Sequence, residues 1–257
     1  MKCEYFTQHS RLFKNRNLFL LLFTILIFTA ADARAQMFSV GGEPGRIDIP
    51  STAVYLGLEP VDFDYQGGNL AIPGNEGRFA FSGSLIRLRL ETPALQFFLA
   101  TGGQLTGIDD VSYFDAGVQA GYNFSIVRNE QFTIQIPFQL VSSLTSVNTD
   151  QSIPNAPQFR QGALAAGLGG FIGVRPSEQV RIQAGFVPHY GFSFATGGTF
   201  GGSLAKLDGR FRLFLDRIFG ETGLSLGYNY KFNRYDVDEN EFDYDLTSHS
   251  ILVGITF

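Results

Sequence analysis

The sequence predicts an all-β chain folded as an antiparallel up-and-down barrel. Three observations predict it: long stretches of strict two-residue alternation, connections that trade between short and long, and an uncharged, apolar chain end. Composition agrees, with 30 Gly, 27 Phe, 10 Tyr and no Trp, because glycine opposes helix and aromatic residues favour strands.

The first 35 residues form a separate unit. Lys2, Arg11, Lys14 and Arg16 precede the apolar run Leu18 to Ala30, and Ala33-Arg34-Ala35 supplies a small-x-small cleavage pattern. This order is that of a secretory signal peptide over residues 1–35, with an apolar run short of the about 20 residues that a spanning helix needs. The single cysteine, Cys3, belongs to this segment, so the expected mature chain has neither disulfides nor thiolate metal sites. The net charge of −5 sharpens once the basic leader is removed, which argues against nucleic acid as a partner. Residues 36–52 read as an irregular periplasmic leader, and 53–257 as the barrel.

The first strand candidate, residues 53–65, is the weakest, since Pro60 interrupts it. Residues 79–91 place Ile86, Leu88 and Leu90 opposite Arg87, Arg89 and Glu91; a turn at Glu91-Thr92-Pro93 leads to the strand ending near residue 102. In 112–126, Phe114, Ala116, Val118, Ala120, Tyr122, Phe124 and Ile126 oppose Asp115, Gly117, Gln119, Gly121 and Asn123. The next strand sets Phe132, Ile134, Ile136, Phe138 and Leu140 against Thr133, Gln135 and Gln139. Residues 159–174 set Leu164, Ala166, Leu168, Ile172 and Val174 against Gln161, Ala163, Ala165, Gly167 and Gly169. Then 179–195 set Val180, Ile182, Ala184, Phe186 and Tyr190 against Arg181, Gln183, Gly185 and His189. Residues 203–216 set Leu207, Phe211, Leu213 and Leu215 against Lys206, Asp208, Arg210, Arg212 and Asp216. In 222–232, Leu224, Leu226, Tyr228, Tyr230 and Phe232 oppose Ser225, Asn229 and Lys231.

Short turns at 91–93, 127–130, 175–178 and 217–221 alternate with longer connections at 102–110, 147–158, 195–202 and 233–241. A soluble β-sandwich has strands of about 5 or 6 residues with comparable loops at both ends, and a solenoid needs a repeat that is absent here. A transmembrane barrel accounts for the whole pattern: spanning strands of about 9 to 11 residues, apolar outward and polar inward, with short turns on one side. Closure satisfies every backbone group, as hydrocarbon requires. With the short turns and the C-terminus on the same side, the strand count is even. Ten is expected, with eight the alternative if 53–65 and one neighbour are irregular.

The chain ends HSILVGITF, with Ile251, Val253, Ile255 and Phe257 on one face. On these residues the chain resembles bacterial outer-membrane β-barrel proteins, whose last strand ends in Phe and acts as the signal for barrel assembly; Ile255 stands where that family often has a second aromatic. The resemblance implies a bacterial outer-membrane location, with membrane lipid, lipopolysaccharide and the barrel-assembly machinery as partners. It names no subfamily and leaves the oligomeric state open.

Candidate chemistry is sparse. His189 is placed in the lumen near the rim, and His249 on the outward parity of the last strand, where the adjacent Ser248 and Ser250 point the other way. A hydrolase needs a base within hydrogen-bond reach of its nucleophile, which this spacing does not supply. The acidic stretch 236–245 fails the EF-hand pattern, since Glu241 and Thr247 stand where Gly and Glu are required. The Gly-rich runs lack the Lys-Ser/Thr of a phosphate loop. No catalytic, cofactor or metal residue is therefore assigned.

The informative set is the charged lumen: Arg87, Arg89, Asp115, Arg181 and Lys206, then Asp208, Arg210, Arg212, Asp216 and Lys231. In so narrow a barrel these charges must pair across the lumen or stay hydrated, giving either a cross-linked core or a narrow pore. The expected function is non-enzymatic: an envelope barrel with a structural or interaction role, or a narrow channel. The alternative is a barrel-wall hydrolase acting on lipid, or on peptides at the rim.

Overall fold

The computed structural model describes residues 52–66, 78–103, 106, 111–149, 158–195, 200–236 and 243–257. The expected signal (1–35), the leader up to residue 51 and most of the acidic stretch (237–242) lie outside the described residues. Eleven strands follow: β1 Ala53–Gln66, β2 Arg78–Glu91, β3 Leu95–Gly102, β4 Val111–Arg128, β5 Phe132–Thr149 and β6 Gln158–Leu168. Then come β7 Gly170–Ser177, β8 Val180–Ala195, β9 Phe200–Phe219, β10 Thr222–Asp236 and β11 Tyr244–Thr256.

Apart from β6 and β7, which both lie between β5 and β8, each strand pairs antiparallel with its neighbours in sequence, and β1 pairs with β11 to close the ring. β6 and β7 are two halves of one barrel strand. Their pairings with β5 keep one register, Phe138↔Leu168 before the break and Gln135↔Phe171 after it. The interruption at Gly169 falls opposite Pro137, which has no N–H to donate, although Gly169 N still reaches the Pro137 carbonyl at 3.2 Å. The barrel therefore has ten strand positions, and the eight-strand alternative is excluded. The weak first strand is fully formed, pairing from Ala53↔Thr256 to Tyr65↔Tyr244 on one side and from Ala53↔Glu91 to Gln66↔Arg78 on the other. Pro60 is accommodated because its ring points outward, and the β1–β11 register resumes unchanged beyond it. The closing seam reaches the last residue, where Phe257 N donates to the Thr52 carbonyl at 2.9 Å.

The strands outrun their sequence-based limits. β5 continues to Thr149, β9 starts at Phe200 and ends at Phe219, and β10 runs to Asp236. Parts of the expected connections 147–158, 195–202 and 233–241, and most of the expected turn 217–221, are thus strand. The expected turn residue Glu91 is the last residue of β2. The apolar-outward pattern is lost near the long connections because the inward residues there, Val147, Leu204 and Tyr235, are themselves apolar and buried, while the ladder continues.

Local chemistry fixes the short turns. Asn129 Oδ1 accepts from the Gln131 and Phe132 amides at 3.0 and 2.7 Å, and Thr92 Oγ1 accepts from the Leu95 amide at 3.0 Å. Gly220, between β9 and β10, takes φ +69°, and Arg217, near the end of β9, takes φ +58°, beside a bulge that re-registers Leu224 onto Leu215.

The outward face carries a continuous apolar surface. It includes Leu56, Leu58, Phe124, Phe138, Phe186, Phe211, Leu226, Ile251, Val253 and Phe257, all exposed. Tyr122 and Phe124 stand outward toward the short turns, and Tyr190 and Phe192 toward the long connections.

Candidate functional site in the barrel lumen

Every lumen residue expected from sequence lies on the inward face, and the lumen divides along its axis. The half nearer the long connections is apolar. Val61, Phe63, Phe81, Leu85, Tyr113, Phe159, Leu204, Tyr235, Tyr244 and Leu246 form one buried cluster there. The cluster spans the bore: Phe63 of β1 and Phe159 of β6, five strand positions apart in a ring of ten, have ring centroids 5.3 Å apart. Tyr244 packs on both, at 5.3 and 5.1 Å, and its hydroxyl donates to Gln161 Oε1.

Below this layer the lumen is ionic. Asp115 of β4 is 1% exposed and accepts from Lys231 of β10, directly across the ring, at 2.6 Å. It also takes Arg87 Nη2 at 3.3 Å and the Thr145 hydroxyl at 3.1 Å. Arg87 forks onto Glu59, which accepts a further hydrogen bond from Ser248 at 2.7 Å. Nearer the short turns, Glu91 takes Arg212 at 2.9 Å and Arg89 at 2.6 Å, while Arg212 also donates to Asn229 Oδ1 at 2.7 Å. Arg210 crosses the bore to Gln96 Oε1 at 2.9 Å. Arg181 and Asp216 form a two-point pair at the short-turn mouth, where Phe214 lies 4.5 Å under the guanidinium. Lys206 shares the inward face of β9 with Asp208, whose carboxylate lies 3.6 Å from His189 Nδ1.

Removing charged groups from water is offset only when hydrogen bonds satisfy what pairing leaves over; Asp115 and Glu59 each accept several such bonds, whereas Arg89 Nε and Arg212 Nε have no hydrogen-bond partner among the described residues. The lumen glycines make the packing possible. A Cβ on Gly167 would meet the His189 ring at 2.3 Å, and one on Gly227 would meet Arg212 Nη1 at 2.8 Å.

The histidines are separated from nucleophiles. His189 is 3% exposed, and its Nε2 donates to Gln139 Oε1 at 3.2 Å. His249 points outward, with Nδ1 2.7 Å from the Tyr228 hydroxyl and its ring against Tyr230. Ser248 and Ser250 point into the lumen, and Asp245 is taken by Arg234 at 2.9 Å. Among the described residues no cluster of His, Cys, Asp or Glu is arranged to hold a metal.

Sequence reasoning missed Glu59 and the whole aromatic layer. Parity contained both signals. Glu59 shares its face with Tyr55, Val61 and Phe63, and Tyr113 shares its face with Asp115. Apolar residues on an inward face do not announce themselves when the outward face is also apolar.

A closed antiparallel ladder, an apolar exterior and a polar-to-aromatic bore define this chain as a ten-stranded up-and-down β-barrel. The sequence matches no protein-family profile and no curated protein. Among solved structures it is similar to the outer membrane protease OmpT from Escherichia coli, at 9% identity and TM-score 0.44, covering 80% of this chain and 96% of that one. It is similar as well to the translocator domain of autotransporter NalP from Neisseria meningitidis, at 11% identity and TM-score 0.32, over 85% and 90%. For the Pseudomonas putida toluene transporter TodX the values are 8%, 0.23, 84% and 90%. Likenesses this distant carry no function to this chain, so the functional reading comes from the lumen.

Proposed function

We infer that this protein is a non-enzymatic β-barrel of the bacterial outer membrane whose lumen is sealed, with a structural or interaction role in the envelope. The observation that carries the reading is the pair of contacts across the bore, Phe63 to Phe159 and Asp115 to Lys231, beneath an apolar exterior. An exposed apolar surface of this extent is a liability in water and a requirement in lipid, while the closed ladder leaves no strand edge unpaired. In this reading residues 1–35 are the export signal, the short turns face the periplasm, and Ile251, Val253, Ile255 and Phe257 form the assembly signal. Outer-membrane lipid and lipopolysaccharide surround the barrel. The hydrolase alternative finds little support, because Ser248 and Ser250 point into the lumen while His249 between them points outward, and His189 is sealed from solvent.

Three measurements test this. Refolded protein should migrate faster on a gel unboiled than boiled, and planar bilayers containing it should show no ion steps above background. Identical migration would remove the barrel, and steady ohmic steps would favour the narrow channel. Deleting Phe257 should lower the inserted yield while precursor levels hold; undiminished insertion would dismiss the assembly signal.

A further inference from the structure

Below the ionic layer the bore opens, at the short-turn mouth, into a cleft of about 80 Å³ lined by Tyr55, Glu91, Gln119, Gln183, Arg210 and Phe214, among others. At about 10–15 Å³ per water, it holds several water-sized groups. The two charged residues lining it, Glu91 and Arg210, form no ion pair with each other. Glu91 is already committed to Arg212 and Arg89. Arg210 reaches only the neutral Gln96 carbonyl at 2.9 Å and the Phe171 ring at 5.5 Å, and has no ion pair among the described residues. Gln119, 4% exposed, makes no side-chain hydrogen bond among the described residues, nor do Gln183 and Asn123, which line the same cleft. An uncompensated guanidinium beside free amide groups, in a space walled by aromatic rings, is a site for an anion that also accepts and donates hydrogen bonds.

We propose that this cleft binds the carboxylate end of a small hydroxylated or amide-bearing monoanion. Arg210 takes the carboxylate, while Gln119, Gln183 and Asn123 hold the groups next to it. Arg210 offers the anion one guanidinium, and Glu91 on the same wall disfavours a second negative charge there, so a monoanionic carboxylate fits better than phosphate. Entry is from the short-turn end, since the ionic and aromatic layers close the other. That this end faces the periplasm rests on the function proposed above.

The test titrates detergent-refolded full-length barrel with lactate, lactamide, sodium chloride and inorganic phosphate at matched ionic strength, reading calorimetric binding and the thermal midpoint. Lactate should bind saturably, and lactamide, chloride and phosphate should each bind at least tenfold more weakly. Arg210→Gln should lose lactate at least tenfold. Gln183→Leu, which breaks no described hydrogen bond, should weaken it severalfold and decides the matter if Arg210→Gln does not refold. Equal responses to lactate and lactamide, a response shared with phosphate or chloride, or unchanged affinity in the Gln183→Leu protein would each overturn the proposal. The boiled and unboiled gel on the same sample separates the two readings. No binding by a heat-modifiable barrel sinks this inference alone, whereas loss of the fast band sinks the function beneath it.

Discussion

The two halves of the lumen close the same bore by different physics. Toward the long connections, Phe63, Phe159 and Tyr244 fill it by burying apolar area, a non-directional contribution that tolerates changes conserving volume. Toward the short turns, Glu59, Arg87, Asp115 and Lys231 fill it with charges whose desolvation is offset only while each partner is present. The apolar half should thus degrade gradually under mutation. The ionic half should fail when one member is lost, and recover when a whole pair is exchanged.

The largest expected effect is in the ionic half. Asp115→Ala strands Lys231 and takes one acceptor from Arg87, and losing one partner of a buried pair costs about 3–5 kcal/mol. Asp115→Leu combined with Lys231→Met should cost clearly less than Asp115→Ala, since Arg87 keeps Glu59. Urea unfolding of the refolded barrel reads both, and equal losses would mean that charge compensation is not what holds this layer.

Next comes the apolar half. Phe63→Ala should cost about 3 kcal/mol or somewhat more from transfer and cavity terms. Phe63→Leu should cost under about 1.5 kcal/mol. Neither should open an ion path, because Asp115 and Lys231 still meet below. Steady current through the Phe63→Ala protein in planar bilayers would make the aromatic layer the only seal.

A change on the outward side sharpens the contrast between faces. Phe211 is 43% exposed on the outward face, and Phe211→Arg should reduce stability in lipid by about 2–4 kcal/mol if it lies near the bilayer midplane. Arg210→Ser or Arg212→Ser should leave insertion intact. Cysteine labelling at 210 to 213 checks the register: lipid-soluble quenchers should reach 211 and 213 and spare 210 and 212. The smallest effect is expected at the solvent-exposed Arg234–Asp245 pair, where Arg234→Gln should leave the unfolding midpoint unchanged at moderate salt.

Residue parity alone carried much of this molecule. Two-residue periodicity sorts inside from outside, so the inward placement of Arg87, Asp115, Arg210, Arg212 and Lys231 was legible before any coordinates, as were the hairpin order and the even strand count. The even count also called for the strand that Pro60 obscured. Pairing across the bore was not legible. Lys231 meets Asp115, and Phe63 meets Phe159, only because the ring closes and puts strands five positions apart on opposite walls of a narrow bore. Alternation says which way a side chain points, but nothing about how far away the facing wall stands. Whether the inward charges would be hydrated or paired, whether aromatic residues would block the bore, and that Arg210 would be left without a carboxylate were decided by the bore's diameter and the strand register, which are properties of the closed sheet as a whole.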